Sequence, residues 1–459
     1  MARYATPCFR PVSTGVAGSR AVTVVTNTPL GGRRIAQYIP RTMTHRIPPS
    51  PFSSRLSVLL GIGLSAAGCE ANPQTGAAGT RPRDTTTTAV AASPPRAARP
   101  DSIARPPQPV MPTPRVVRGL YVNRWAALGQ RMWELIDVAK RTEVNALVID
   151  VKDDRGFVLY RSTVPLAREI GADTNRAMSY RRVRAVLDTM RVHGIYPIAR
   201  IVVAKDPLLA EHRPQWAIKQ RSDPSRPWLD KNGKPWLDAH QPAVWQYAAD
   251  LAKEAVNLGF SEVQLDYVRF PDEKRLVREA TFPLANGRLR AQVIREQLAF
   301  TREQLRGTGV PMTIDVFGLT ATDTTDMGIG QRWEQFIDQA DAVLPMVYPS
   351  HFAPGTYKLG NPNASPYATI DYSMKDAIRR SAGIPNAAVI VPWYQDFTLG
   401  PPRYGVAQVQ AQIRAGYANG VKSWMLWNPG SRYTVGALAP AILPADTLGP
   451  SYGGRTPAR

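Results

Sequence analysis

Between residues 118 and 427 eight short apolar runs recur, separated by stretches with helical spacing. The runs are 118–125, 146–152, 196–203, 262–269, 311–317, 342–348, 388–395 and 421–427. The helical stretches predicted between them are 132–142, 180–193, 243–258, 289–305, 333–339, 374–381 and 407–418. Near-continuous Val, Ile and Leu runs belong to strands buried on both faces, as in a parallel sheet covered by helices. Eight such units in roughly 310 residues predict an α/β fold of the (β/α)8 TIM-barrel class. An open doubly wound sheet would need a Gly-rich turn after its first strand, and Arg124-Trp125-Ala126 does not supply one.

Five segments are expected: 1–42, a leader or over-extended start; 43–69, a signal peptide; 70–115, a disordered Pro/Ala/Thr/Arg-rich linker; 116–440, the barrel; and 441–459, a disordered tail. The net charge of +21 first suggests a nucleic-acid partner, but its distribution argues otherwise. Arg3 through Arg118 holds fifteen arginines against Glu70, Asp84 and Asp101, a surplus of twelve. These arginines are scattered singly among Pro, Ala, Thr and Ser without interleaved aromatics, which reads as a solvated leader rather than a nucleic-acid groove. Arg46 and Arg55 precede the apolar run from Leu56 to Leu64, and Ser65-Ala66-Ala67-Gly68-Cys69 follows, the order of a secretory signal. Cys69 after three small residues resembles the bacterial lipobox, with Ala66 where leucine is usual; the alternative is a chance cysteine after an ordinary signal. The expected location is the cell envelope, beyond the inner membrane, with the membrane held through a lipid on Cys69. Only Cys8 and Cys69 occur, so the barrel folds without disulfides or cysteine metal ligands.

A barrel of this kind performs its chemistry at the C-terminal ends of its strands. There the sequence places Asp150 and Lys152, Arg200, Asp266, Tyr267 and Arg269, Asp315, Tyr348 and His351, Trp393, and Trp427. Alternation along a strand sets Val148, Asp150 and Lys152 on one face, Gln264 and Asp266 on another, and Thr313 and Asp315 on a third. Three aspartates then point inward together, with Lys152, Arg200 and Arg269 as candidate counter-charges.

Glycoside hydrolysis commonly uses one carboxylate as nucleophile or base and one carboxylic acid to protonate the leaving oxygen. Asp266 suits the first role, its alternative being a structural ion pair with Arg269. Asp315, beside Ile314, Val316 and Phe317, suits the acid, because an apolar setting raises a carboxyl pKa. Asp150 could take that place or bind a substrate hydroxyl; the alternative is a buried network with Lys152 and Arg200. Asp153 and Asp154 precede a glycine turn. With Asp150 they could form a metal cluster, but it lacks histidines at ligand spacing. Trp216, Trp228, Trp236, Asp238 and His240 lie on the long segment after the third run, where tryptophans either stack on sugars or pin the loop. His193, before Gly194, reads as a helix end. No Ser/His/Asp constellation and no phosphate-cradling glycine loop is present.

At Arg118-Gly119-Leu120-Tyr121-Val122, Ile149-Asp150-Val151-Lys152-Asp153-Asp154 with Gly156, Trp236-Leu237-Asp238, Leu265-Asp266-Tyr267-Val268-Arg269-Phe270-Pro271 and Pro345-Met346-Val347-Tyr348-Pro349, the chain resembles an uncharacterised bacterial family assigned to the glycoside hydrolases. The resemblance runs from about Arg118 to Gly430. It implies a barrel acting on a polysaccharide. More distantly, an aspartate ending the fourth strand is similar to the nucleophile of alpha-amylase and alpha-galactosidase barrels. Two departures from the amylase pattern stand out: Gln264 replaces the arginine two residues before the nucleophile, and Asp315 stands where amylases carry glutamate.

The expectation is a monomeric glycoside hydrolase of an envelope or extracellular polysaccharide. It needs no cofactor and no metal. Asp266, Asp315 and Asp150 carry the chemistry. Lys152, Arg200, Asp238, Tyr267, Arg269, Tyr348, His351, Trp393 and Trp427 line the subsites. The alternatives are a non-catalytic carbohydrate-binding barrel and, less favoured, a metal-dependent hydrolase or deacetylase.

Overall fold

The computed structural model describes residues 108–441 apart from Lys274. The leader, the signal with Cys69, residues 70–107 of the linker and residues 442–459 of the tail lie outside the described residues. Eight parallel strands form the sheet: β1 Arg118–Val122, β2 Ala146–Lys152, β3 Tyr196–Val202, β4 Glu262–Asp266, β5 Met312–Phe317, β6 Ala342–Met346, β7 in two pieces (Val389–Ile390 and Trp393–Gln395) and β8 Trp424–Trp427. Each neighbours the next, and β8 pairs with β1 at Arg118↔Trp424, so the sheet closes. Pro392 divides β7. It has no N–H to give to the ladder, yet Trp393 still pairs with Met346 of β6 and Met425 of β8.

Between the strands run α1 Gln130–Arg141, α2 Tyr180–Val192, α3 Pro242–Leu258, α4 Arg290–Gln304, α5 Trp333–Phe336, α6 Pro366–Ser381 and α7 Val406–Ala418. Their apolar faces explain them. On α1, Met132, Leu135, Ile136 and Ala139 recur at spacings of three and four and are buried. The side chain of Ser179 accepts from Arg182 N–H to start α2. Gly259, at φ 114°, stops α3. α6 begins eight residues earlier than expected because Pro366 suits the first turn of a helix rather than a break. α5 is a single turn. Among the described residues only the 3-10 turn Val435–Ala437 follows β8, where an eighth helix would stand.

Two cores result. The larger lies between sheet and helices. The smaller fills the lumen with Tyr121, Ala146, Val148, Tyr196, Ile198, Leu344, Trp393 and Met425. Beneath the lumen residues 108–115 run along the strands' N-terminal ends. Met111 packs on the lumen core and its N–H donates to Ser261 Oγ at 2.8 Å, while Thr113 Oγ1 lies 3.2 Å from Tyr196 Oη.

Candidate active site

The closed register fixes what meets at the top of the lumen. Asp150 on β2 pairs with Arg200 on β3, Arg200 pairs with Gln264 on β4, and Asp315 lies on β5 beside Leu344 of β6. Arg200 is 3% exposed, and its guanidinium serves both neighbours. Nη1 donates to Asp150 Oδ1 at 2.5 Å. Nε donates to Asp266 Oδ2 at 3.1 Å, and Nη2 also bonds that oxygen; Asp315 Oδ2 stands 3.8 Å from Nε. Arg200 thus reaches Asp266 from the adjacent strand, at the register position of Gln264.

Each carboxylate has a different setting. Asp266 Oδ1 accepts from Tyr267 N–H at 2.5 Å, and Tyr267 is held at φ 54°, an uncommon conformation for a residue with a side chain. Asp150 Oδ2 accepts from Tyr121 Oη at 2.6 Å. Burial pushes its pKa up to about 6, against the lowering effects of Arg200 and Tyr121. Asp315 Oδ1 accepts from Gln264 Nε2 at 2.7 Å and Trp393 Nε1 at 2.6 Å. Its carboxyl is held well above the usual range, by burial first and by the neighbouring Asp266 second. Burial alone would weaken the Arg200 cation, but Asp150 and Asp266 raise its pKa above the ordinary guanidinium value.

Aromatic rings fix this centre. Tyr121 and Trp427 stack at 3.8 Å and 18°, and Trp393 stands edge-on to both, at 6.5 and 5.6 Å. The Arg200 Cζ lies 5.3 Å from the Tyr121 ring and 5.2 Å from Trp427. Tyr348 lies edge-on to His351 at 5.3 Å, and its buried hydroxyl has no partner among the described residues.

Above lies a cleft of about 580 Å³, within the size range of small-molecule sites. Of the residues expected at the site, Asp150, Arg200, Asp266, Tyr267, Arg269, Tyr348, His351 and Trp427 line it. Asp315 and Trp393 do not; they form a layer beneath. Lys152 is elsewhere, contrary to simple alternation. The β2–β3 register shifts between Asp150 and Lys152, so Lys152 pairs with the outward-facing Ile201. Its Nζ meets Asp206 at 2.7 Å and Val202 O at 2.6 Å. Asp238 is also remote from the cleft lining, its Oδ1 2.6 Å from His240 Nδ1, with His240 against Phe270 and Phe282.

Arg269 is not the partner of Asp266. It donates to Phe270 O and Asp272 and lies 4.9 Å from the Tyr267 ring. Asp153 pairs with Arg155 and Asp154 with Lys205, so these acids and Asp150 each have a separate cation instead of converging on a metal. Trp228 and Trp236 are buried in a satellite core with Ala204, Ile218 and Ala280, which pins the loop, although Trp236 also edges the cleft. His193 caps the end of α2. Sequence reasoning missed Tyr121 and Phe317 as cleft residues, while Asn123, Arg124 and Trp125, which end the first run, do line it. Alternation carried along β1 from Gly119 would have turned Tyr121 inward.

Comparison with known proteins then adds four likenesses. The sequence profile of a family described as "Putative glycosyl hydrolase domain" matches residues 119–433. A hypothetical protein from Ruminiclostridium thermocellum is 38% identical over 43% of this chain and 97% of that one, with a TM-score of 0.39. The glycoside hydrolase domain of PgaB (BpsB) from Bordetella bronchiseptica is 11% identical over 70% of this chain and 95% of that one, with a TM-score of 0.50, a likeness of fold. An alpha-galactosidase from Thermus thermophilus aligns at 16% identity over 71% of this chain and 60% of that one, with a TM-score of 0.39. No curated protein matches the chain.

Proposed function

The chain belongs to the family described as "Putative glycosyl hydrolase domain", and from that premise we propose that it cleaves O-glycosidic bonds of an envelope or extracellular polysaccharide with two carboxylates. Asp266 acts as nucleophile or base, and Asp150 as the acid that protonates the leaving oxygen. The observation that carries this reading is that both line one open cleft and share one guanidinium. Arg200 holds Asp266 in place through Nε and Nη2. Asp150, at about 6, holds a proton into the range where a general acid is effective. Asp315 supports the pair from beneath, held by Gln264 and Trp393, with burial and the neighbouring Asp266 raising its pKa well above the usual range. Tyr348, with its unpartnered hydroxyl in the cleft, is positioned to bond the sugar.

The test is a screen of bacterial and plant polysaccharides for new reducing ends, followed by aryl glycosides of the responsive sugar. Asp150→Asn should lose most activity toward the polymer but retain it toward an aryl glycoside whose leaving group needs no proton. If Asp315→Asn shows that pattern instead, the acid is misassigned. NMR of the first-formed anomer distinguishes retention from inversion.

One observation favours a binding-only barrel: both carboxylates are closed onto Arg200. That reading predicts glycan binding with no new reducing ends. We read Cys69 as the lipid attachment site from its sequence context; radiolabelled palmitate incorporation lost in Cys69→Ala is the check.

A further inference from the structure

Arg124, in the first turn after β1, carries a guanidinium whose two terminal nitrogens no group of the described residues satisfies. The residue is 1% exposed. Its Nε donates to Val158 O at 3.3 Å, while Nη1 and Nη2 have no hydrogen-bond partner among the described residues. The carboxylates whose field it feels, Asp153 and Asp150, are committed elsewhere. Asp153 holds Arg155 at 2.6 Å and accepts from the N–H of Arg155 and Phe157. Asp150 holds Arg200 and Tyr121. What remains around Arg124 is aromatic, with its Cζ 5.1 Å from the Trp125 ring and 5.8 Å from Phe157. Two unpartnered donors on a buried cation are costly, and this residue lines the cleft.

Its donor set selects the kind of group that would relieve it. A planar fork of N–H donors on a full charge matches a carboxylate or sulfate bidentately. A sugar hydroxyl would occupy one donor and leave the charge uncompensated. Arg155 brings a second guanidinium to the same rings, 5.1 Å from Trp125 and 5.9 Å from Phe157. A neighbouring hollow of about 350 Å³ shares Arg155 and Lys205, but also Asp154 and Asp230, with the cleft and continues it to Glu211 and Lys234.

We infer that Arg124 forms an anion-reading subsite of the cleft, so that the glycan taken by this barrel carries an oxyanion substituent, a uronate carboxylate or a sulfate ester. The inference rests on reading the cleft as a glycan site. Isothermal calorimetry tests it on the full chain carrying Asp266→Asn, so that no probe is consumed. The probes are oligomers of polygalacturonate and of a sulfated galactan, each beside its carboxyl-reduced or desulfated counterpart. One acidic probe should bind at least about tenfold tighter than its neutral counterpart, and the arm that does so identifies the oxyanion. Arg124→Gln should abolish the preference and Arg124→Lys restore part of it. Equal binding of acidic and neutral oligomers, no binding of any acidic oligomer, or a preference that survives Arg124→Gln overturns the subsite. The acidic–neutral comparison needs no change at Arg124, so it stands even if Arg124→Gln fails to fold, and Arg124→Lys then carries the assignment. Cleavage of neutral glycans by the unaltered chain without acidic preference sinks the subsite and leaves the hydrolase reading. Tight acidic binding without cleavage does the reverse.

Discussion

At Arg200 one cation serves two carboxylates and faces a third, all within a few per cent of full burial. Removing one partner of such a network leaves uncompensated buried charge, which costs about 3–5 kcal/mol. Arg200→Met should therefore melt well below the unaltered chain at neutral pH, with the gap narrowing as acid protonates Asp150; circular dichroism melts across pH would show it. Asp150 has a pH signature of its own. Its folded pKa of about 6 lies above the unfolded value of ~3.9. Its ionisation thus costs the folded state stability as pH rises from about 4 to about 6. If it is the acid, the rate falls over the upper part of that range and beyond, as the proton is lost. A pH–rate profile should show a descending limb near 6 that Asp150→Asn removes; an unshifted limb contradicts the role. The acids were legible in the sequence because charge at the end of an apolar run is conspicuous. Their partner was not. Lys152, Arg200 and Arg269 were equal candidates until the register set Asp150 against Arg200 and a bulge turned Lys152 outward.

At the scale of elements, strand positions were readable from apolar runs, whereas the loops held the surprises. The segment between β3 and α3 folds over its own small core. Asp230 organises its turn, accepting from Asn232 N–H at 2.8 Å, Lys234 N–H at 2.9 Å and Trp236 Nε1 at 3.2 Å. Trp228 Nε1 donates to Leu276 O at 2.9 Å and so ties this loop to the one after β4. A tryptophan on a loop carries no sequence signal that separates pinning from sugar stacking. Only burial does, at 2% and 3% for Trp228 and Trp236. Trp228→Ala should cost about 3–5 kcal/mol of local stability and expose residues 219–235 to limited proteolysis while the barrel helices stay protected. Equal protease resistance in the variant and the unaltered chain would contradict the satellite core.

At the scale of the molecule, closure of the barrel makes the site: β2 ends at Lys152 and β4 begins only at Glu262, yet their carboxylates meet on one side chain. The same closure is supported from below by residues 108–115, which composition alone assigned to the linker. A fragment beginning at residue 116 loses the Met111 packing and the hydrogen bond to Ser261. It should be about 1–3 kcal/mol less stable to urea than one beginning at residue 108. Equal midpoints would show that the segment adds nothing. The eightfold alternation made the fold legible; the aromatic frame around Arg200 was not, because Tyr121, Trp393 and Trp427 come together only when β1, β7 and β8 adjoin.

The most direct measurement is the release of reducing ends from a responsive polysaccharide by Asp266→Asn, with its melting temperature recorded alongside. The account predicts a protein that still melts as one folded unit, at a temperature lowered by the loss of one Arg200 partner, and a rate lower by about a thousandfold or more. Hydrolysis at the unaltered rate by a folded Asp266→Asn protein would contradict it.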